Sequence, residues 1–288
     1  MSSLNFISLF AGIGGFDLAL ERVGFQCVEQ IEIDENCQRV LEHHWPNVKK
    51  VKDVKEKTGQ KSSARLLCGG FPCQDLSVAG RRAGLAGNKS GLFFQFTRIV
   101  EEVSPEWILV ENVPGLLSSN KGRDMGTVVG TLAKLGYGVA WRVFDSQFFN
   151  LPQSRQRLFF VGCFGDIRRS SKVLFEPESG RTSYEKEKIS YSSKTSQKIN
   201  SRTSENEKRL AFCLMTKNRL ISHQDTYISD NRGVRRLTPK ECCRLQGFPD
   251  DWLELQPAIS DTVKYHMLGN AVSVPVVEWI AKRIKENS

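Results

Sequence analysis

Cys73 lies in the stretch "GGFPCQDLSVAG" (residues 69–80), behind two glycines, a phenylalanine and a proline, and ahead of the polar pair Gln74-Asp75. A free thiol with a pKa of ~8.5 is only a few per cent ionised at neutral pH, so a nucleophilic cysteine needs positive charge or a donor nearby. Arg81 and Arg82 are close enough in sequence to supply it. The competing account is a small buried hydrophobe, the ordinary fate of a lone cysteine. That account suits Cys27, Cys37, Cys163, Cys213 and Cys243 better than Cys73, whose neighbours are poor company for a core side chain. Glu111 and Asn112 end the apolar run of "WILVENV". A carboxyl partly desolvated at a strand end can hold or share a proton and hydrogen-bond a ring nitrogen, whereas a strand-end salt bridge is the plainer alternative. In "QSRQRLFFVG", Arg155 and Arg157 fall on the same side of an extended segment. Both can then reach one anionic or carbonyl oxygen, unless they are solvated.

Binding chemistry is suggested by "FAGIGG" (residues 10–15), where Gly12, Gly14 and Gly15 let backbone approach a ligand. The third glycine of a GxGxxG pattern is replaced by Asp17, and a tight turn without a ligand is the alternative. Glu32, at the tip of the next strand, can accept both ribose hydroxyl hydrogens. Nothing requires a pyrophosphate, so a nucleoside such as S-adenosylmethionine fits as well as NAD. Asp53, at the tip of the third strand, either accepts from an adenine amino group or is a solvated turn carboxylate. "GLAGNKSG" (residues 84–91) is not a phosphate loop, because Asn88 separates Gly87 from Lys89.

The elements that must position these groups alternate. An apolar run at Leu4 to Phe10 leads through the glycine turn into the helical spacing of "FDLALERVG", with Gly24 as the residue just past its end, and then into the strand "FQCVEQIEI". A helix from Glu35 to Trp45 stopped by Pro46 follows, then strands near Val48 to Val54 and at "ARLLCGG", the helix "SGLFFQFTRIVEEV", and the strand "EWILVENV". The helix "DMGTVVGTLAKLG" and the strands "GVAWRVFD" and "RLFFVGCF" complete the series. Repeated βα units predict a mostly parallel, doubly wound α/β sheet. Near Ser170 the composition turns Ser-, Lys- and Glu-rich, which predicts a linker or mobile loop, with residues 176–205 its most mobile part. "TPKE" then announces a helix, with Thr238 as N-cap, Pro239 in the first turn and Glu241 completing a capping box.

Bulk properties narrow the class. The chain has 288 residues, 41 Lys+Arg against 32 Asp+Glu and a formal net charge of +9, which favours a polyanionic partner. No basic leader precedes the first apolar stretch, and no apolar run approaches the about 18 residues of a membrane span, so the expected setting is the cytoplasm. The 8 cysteines lack framework spacing, and with only 4 histidines and no CxxC pair no metal site is expected.

Taken in order, "FAGIGG", "GGFPCQ", "ENV", "QSRQR", "RRLTPKECCRLQGFPDDW" and "MLGNAV" resemble the cytosine-C5 DNA methyltransferases of bacterial restriction-modification systems and their phages. The resemblance covers Asn5 to Phe164 and Val234 to Ile284. It implies a class I S-adenosylmethionine-dependent methyltransferase fold, Rossmann-like, with a small inserted target-recognition domain. Residues 1–165 plus 262–288 form the catalytic domain and 166–261 the insertion, which is short for this family. By the same resemblance Cys73 adds to C6 of a flipped-out cytosine, Glu111 contacts N3 and the exocyclic amine, and Arg157 contacts O2, with Arg155 beside it. Phe10, Ala11, Gly12, Gly14, Gly15, Glu32, Ile33, Asp53, Pro72, Leu92 and Asn270 hold S-adenosylmethionine. DNA contacts are expected from Gln74, Ser77, Arg81, Arg82 and Lys89, and base reading from Thr216, Lys217, Asn218, Arg219 and Gln224. The implied partner is double-stranded DNA, with a cognate restriction endonuclease acting separately on a monomeric enzyme. Three alternatives compete: a tRNA cytosine-C5 methyltransferase, a catalytically silent DNA-binding relative, and an NAD-dependent oxidoreductase resting on "FAGIGG" and Glu32 alone.

Overall fold

A computed structural model describes residues 4–57, 62–71, 91–176, 227–230 and 233–288. Strands β1 (Asn5–Leu9), β2 (Gln26–Ile31), β3 (Lys49–Val51), β4 (Leu66–Gly69), β5 (Trp107–Asn112), β6 (Tyr137–Asp145) and β7 (Gln156–Phe164) form one seven-stranded sheet. Its order is β3-β2-β1-β4-β5-β7-β6. β3 to β5 run parallel, and β7 lies antiparallel between β5 and β6. The mostly parallel α/β sheet is therefore present, and its carboxyl edge carries the ends of β1, β2, β4 and β5.

Alternation along the central strands divides the core in two. In β5, Trp107 and Leu109 join one apolar layer while Ile108 and Val110 join the other. Such strands, buried on both faces, read as unbroken apolar runs, as β4 does in "LLCG". One layer packs under α1 (Gly15–Val23), α2 (Glu35–His44) and the C-terminal helix, and the other under α3 (Gly91–Val103) and α4 (Arg123–Lys134). Gly24 terminates α1 at φ 95, a conformation that favours a residue without Cβ, and its N–H closes the last turn.

Within the stretch assigned to the insertion, several segments pack against the main sheet. Ile167–Leu174, in the stretch expected to be a linker, is helix α5, N-capped by Asp166. Ser170 is buried and donates its hydroxyl to the Gly138 carbonyl of β6 (2.5 Å). Further on, β8 (Tyr227–Asp230) and β9 (Gly233–Arg236) form a two-stranded ribbon. Helix α6 (Pro239–Gln246) follows, with the expected capping box of Thr238 and Glu241. Cys242, Cys243, Phe248 and Trp252 then enter the same core layer as Phe6 and Phe16. Helices α7 (Asp261–Asn270) and α8 (Val274–Glu286) complete the chain. Apolar side chains at Val173 and Leu174, and from Cys242 to Ile259, thus tie residues on both sides of the ribbon to the main sheet.

Candidate active site

Except Gly14, every described group singled out for chemistry lines a cleft of about 800 Å3 at the carboxyl edge of the sheet. Its first wall is the turn after β1. Phe10 adopts φ 53, strained for a residue with a side chain, and Gly12 follows at φ 56. A Cβ on Gly12 would meet nothing within 4 Å, so its open side faces free space. Gly14 departs from the expectation of a ligand contact. At φ 81, a Cβ there would come within 2.4 Å of the Trp45 ring, so the absent side chain makes room for an indole. Gly15 lines the cleft but is also crowded, by Val272 (2.7 Å) and Phe248 (3.2 Å).

The carboxylate of Glu32 is fixed by backbone on both oxygens. The N–H of Gly12 donates to Oε2 (2.7 Å) and that of Asp34 to Oε1 (2.8 Å). Each carboxylate oxygen retains a second acceptor site, enough for two hydroxyls of one sugar. Burial pushes the Glu32 pKa up, and the backbone donors oppose the shift. Ile33, 64% exposed, lines the cleft beside it, with Ala11, Asp53, Leu92 and Asn270 on the surrounding walls. An open glycine, a pinned acceptor pair and an exposed apolar flank fit a nucleoside cofactor.

The second half of the cleft is charged and buried. Glu111, at the end of β5, pairs with Arg157 of β7, Nε to Oε1 at 3.0 Å, with both side chains less than one-fifth exposed. Burial raises the Glu111 pKa, while Arg157 and then Arg155 pull against it. A carboxyl held in this balance can keep a proton at higher pH than an ordinary one. Arg155 lines the same cleft as Arg157. It precedes β7, is 1% exposed, and donates through Nη2 to the carbonyls of Gly269 (3.1 Å) and Ala271 (2.8 Å). Its guanidinium therefore braces the turn around Asn270, and only Arg157 of the two makes the ion pair to Glu111.

Other residues position these groups. Both glycines of "GGF" are close approaches: a Cβ on Gly69 would lie 2.3 Å from the Leu9 carbonyl, and one on Gly70 3.2 Å from Glu111 Oε2. Asn112 donates to the carbonyl of Phe71 (3.3 Å), fastening the chain just before Cys73 to the end of β5. His266 lines the cleft from α7. The indole of Trp252 donates to the Ile13 carbonyl (2.9 Å), stacks on His44 with ring centroids 3.6 Å apart, and meets Trp45 edge-on. The glycine turn is thereby clad from outside by aromatic rings. Long-range contacts of this kind leave no local pattern to read.

Pro72, Cys73, Gln74, Ser77, Arg81, Arg82, Lys89, Thr216, Lys217, Asn218, Arg219 and Gln224 lie outside the described residues, as does the 177–205 part of the Ser/Lys-rich stretch. Cys27, Cys37, Cys68, Cys163, Cys242 and Cys243 are buried free thiols, and burial pushes Cys242 and Cys243 up to about 12, the opposite of activation. Among the described residues no group of three or more His, Cys, Asp or Glu side chains is arranged to hold a metal, and no helix is long and apolar enough to cross a membrane.

The strand order, with its antiparallel β7 and a nucleoside-type cleft at the carboxyl edge, defines a class I methyltransferase fold. Solved structures share it: an Entamoeba histolytica methyltransferase, EhMeth, superposes with TM-score 0.74 at 16% identity over 99% of both chains. The Schizosaccharomyces pombe Dnmt2 methyltransferase superposes with TM-score 0.72 at 20% identity over 98% of each. A sequence model described as C-5 cytosine-specific DNA methylase matches residues 4–223 and 171–286. Among relatives, the type II methyltransferase M.DsaV of Dactylococcopsis salina is 34% identical over 98% of this chain and 86% of its own. M.HpaII of Haemophilus parainfluenzae is 30% identical over 98% of this chain and 89% of its own. The chain belongs to the C-5 cytosine-specific DNA methylase family and is a DNA cytosine-C5 methyltransferase. Enzymes of this family draw their methyl group from S-adenosylmethionine.

Proposed function

We propose that Cys73 is the nucleophile, that Glu111 and Arg157 hold the target cytosine, and that the Gly12/Glu32 half of the cleft holds S-adenosylmethionine. The observation that carries the reading is the buried Glu111–Arg157 pair opening into the same cleft as the pinned Glu32 carboxylate. Cys73 Sγ forms a bond to C6, and the C5–C6 π electrons shift into the ring, where Glu111 hydrogen-bonds N3 and Arg157 hydrogen-bonds O2. Stabilising the charge that develops at those atoms lowers the barrier to thiolate addition. When bound against Gly12 and Glu32, S-adenosylmethionine would supply an electrophilic methyl group to C5, its S–CH3 bond breaking with the electron pair left on the departing thioether sulfur. A base then removes the C5 proton, the electron pair re-forms the C5–C6 double bond, and the Sγ–C6 bond breaks with its pair to release the Cys73 thiolate.

The target base leaves its stack before reaching this pocket, at a cost of a few kcal/mol. Gln74, Ser77, Arg81, Arg82 and Lys89 offset it through DNA contacts, and the net charge of +9 assists. Residues between α5 and α6 form the target-reading unit, with Thr216, Lys217 and Arg219 among its base contacts. Relatives named as type II methyltransferases support a restriction-modification role, with the monomeric enzyme protecting cytoplasmic DNA from a separate endonuclease. The test is transfer of labelled methyl groups to duplex DNA followed by bisulfite sequencing, wild type beside Cys73→Ser. Cytosine-C5 methylation at one short motif, lost in the variant with cofactor binding retained, is expected. Full activity without the thiol would overturn the reading.

A further inference from the structure

Arg98 belongs to α3 and is not among the residues that line the cleft, yet it touches the wall that is. Its guanidinium donates to two backbone carbonyls of another segment, Val54 through Nη2 (3.0 Å) and Lys57 through Nη1 (2.9 Å). On its own helix it donates through Nε to Gln95 Oε1 (2.8 Å) and through Nη1 to both oxygens of Glu102 (2.7 and 2.9 Å). An i,i+4 surface pair would need only the Glu102 contacts. The planar fork, with its donors in fixed directions, instead bolts α3 to the turn that follows β3.

That turn begins at Asp53, which lines the cleft. Within it, Lys55 N–H donates to Asp53 Oδ1 and Glu56 N–H to the Asp53 carbonyl, both at 2.9 Å. Its far end is fastened by Lys57, whose buried ammonium meets Glu29 Oε2 at 2.7 Å. The turn lies between strands and outside any helix, so its place against the cleft is set by these side chains. Leu92, from the first turn of α3, lines the same cleft. One guanidinium therefore fixes the spacing between the Leu92 wall and the Asp53 wall.

We propose that Arg98 is a positioning residue that sets the enzyme's preference for adenine in its cofactor, by holding the 53–57 turn so that Asp53 meets the exocyclic amino group. The inference rests on the cofactor reading of the cleft. It is tested by calorimetric binding of S-adenosylhomocysteine and S-inosylhomocysteine, in which a carbonyl replaces the amino donor, to the full chain and its variants. Wild type is expected to prefer the adenine form about 10-fold or more, as a site built to pair one polar group rejects its replacement. Asp53→Ala and Arg98→Met should each reduce that preference to within about 2-fold while leaving the inosine form's affinity unchanged. The double variant should lose nothing further, the signature of two residues acting on one contact.

Arg98→Lys, which reaches one carbonyl in place of two, should fall between, and it carries the test if Arg98→Met does not fold. A lowered melting temperature with the full adenine preference retained in the Arg98 variants would overturn the proposal, leaving a purely structural clamp. A full preference in Asp53→Ala would instead remove the adenine reading of Asp53, and the proposal with it.

Discussion

The two halves of the cleft are built by different means. On the side proposed for the cofactor, backbone does most of the work: Gly12 leaves space, and two main-chain N–H groups fix Glu32. On the base side, side-chain charges are buried against one another: Glu111 pairs with Arg157, while Arg155, deeper still, grips the carbonyls on either side of Asn270. Backbone donors keep their geometry whatever the protonation state of their partner. Buried ionic groups depend on each other, and removing one partner leaves an uncompensated charge. The cofactor half should therefore yield to substitution gradually and the base half abruptly.

Substitutions can break or sharpen that contrast. The largest loss is expected at the base side: Cys73→Ser should lower kcat by roughly 10^3-fold or more while the Kd for S-adenosylhomocysteine stays within about 2-fold. Single-turnover methyl transfer beside calorimetry checks both. Glu111→Ala should lower kcat by about 10^2- to 10^3-fold, and Glu111→Gln by less, since an amide still donates to N3. Should both variants lose equally, proton-holding by Glu111 matters more than donation.

Arg155→Met couples the halves. It should cost about 3 kcal/mol or more of stability, seen in urea unfolding, and weaken cofactor binding through the Asn270 turn, although Arg155 contacts no cofactor in the proposed site. A variant as stable as wild type would contradict the brace. Glu32→Gln should raise the cofactor Kd only about 10-fold. Because burial raises the Glu32 pKa, wild-type affinity should be fully present above that raised value and fall as the carboxylate protonates on acidification, at higher pH than an ordinary carboxylate. Titrations extending above and below the ordinary carboxylate range read this, and Glu32→Gln should flatten the dependence.

The smallest effect separates two glycines of one turn. Gly12→Ala should weaken cofactor binding, whereas Gly14→Ala should leave the folded protein's affinity near wild type and lose about 1–3 kcal/mol of stability against Trp45.

This contrast also explains what the sequence revealed. The glycine turn, Glu32 at a strand tip, the Gly24 terminus and the Thr238–Glu241 box are local devices, settled within a few residues, and each stands where its motif predicts. Arg155 lines the cleft beside Arg157, as its spacing suggests, but its contacts to the Gly269 and Ala271 carbonyls leave no local pattern. Gly14 follows a ligand-loop motif but answers to Trp45, 31 residues further on. Composition near Ser170 suggested a linker, although Asp166 capped a helix there and Val173 and Leu174 buried it. Nothing local marks residues 242–259 as core, since their partners lie at the opposite end of the chain.

The Trp252 indole on the Ile13 carbonyl, with Val272 against Gly15 and Arg155 on Ala271, has a consequence for the order of folding. The Trp252 indole lies 239 residues from the carbonyl it binds, and Val272 is later still. Domains generally fold as units, and contacts this distant in sequence form late. A nascent chain carrying β1 to β7 still lacks the outer wall of its cofactor turn. The turn that lines the cleft should therefore become rigid only after the sheet that carries it has formed.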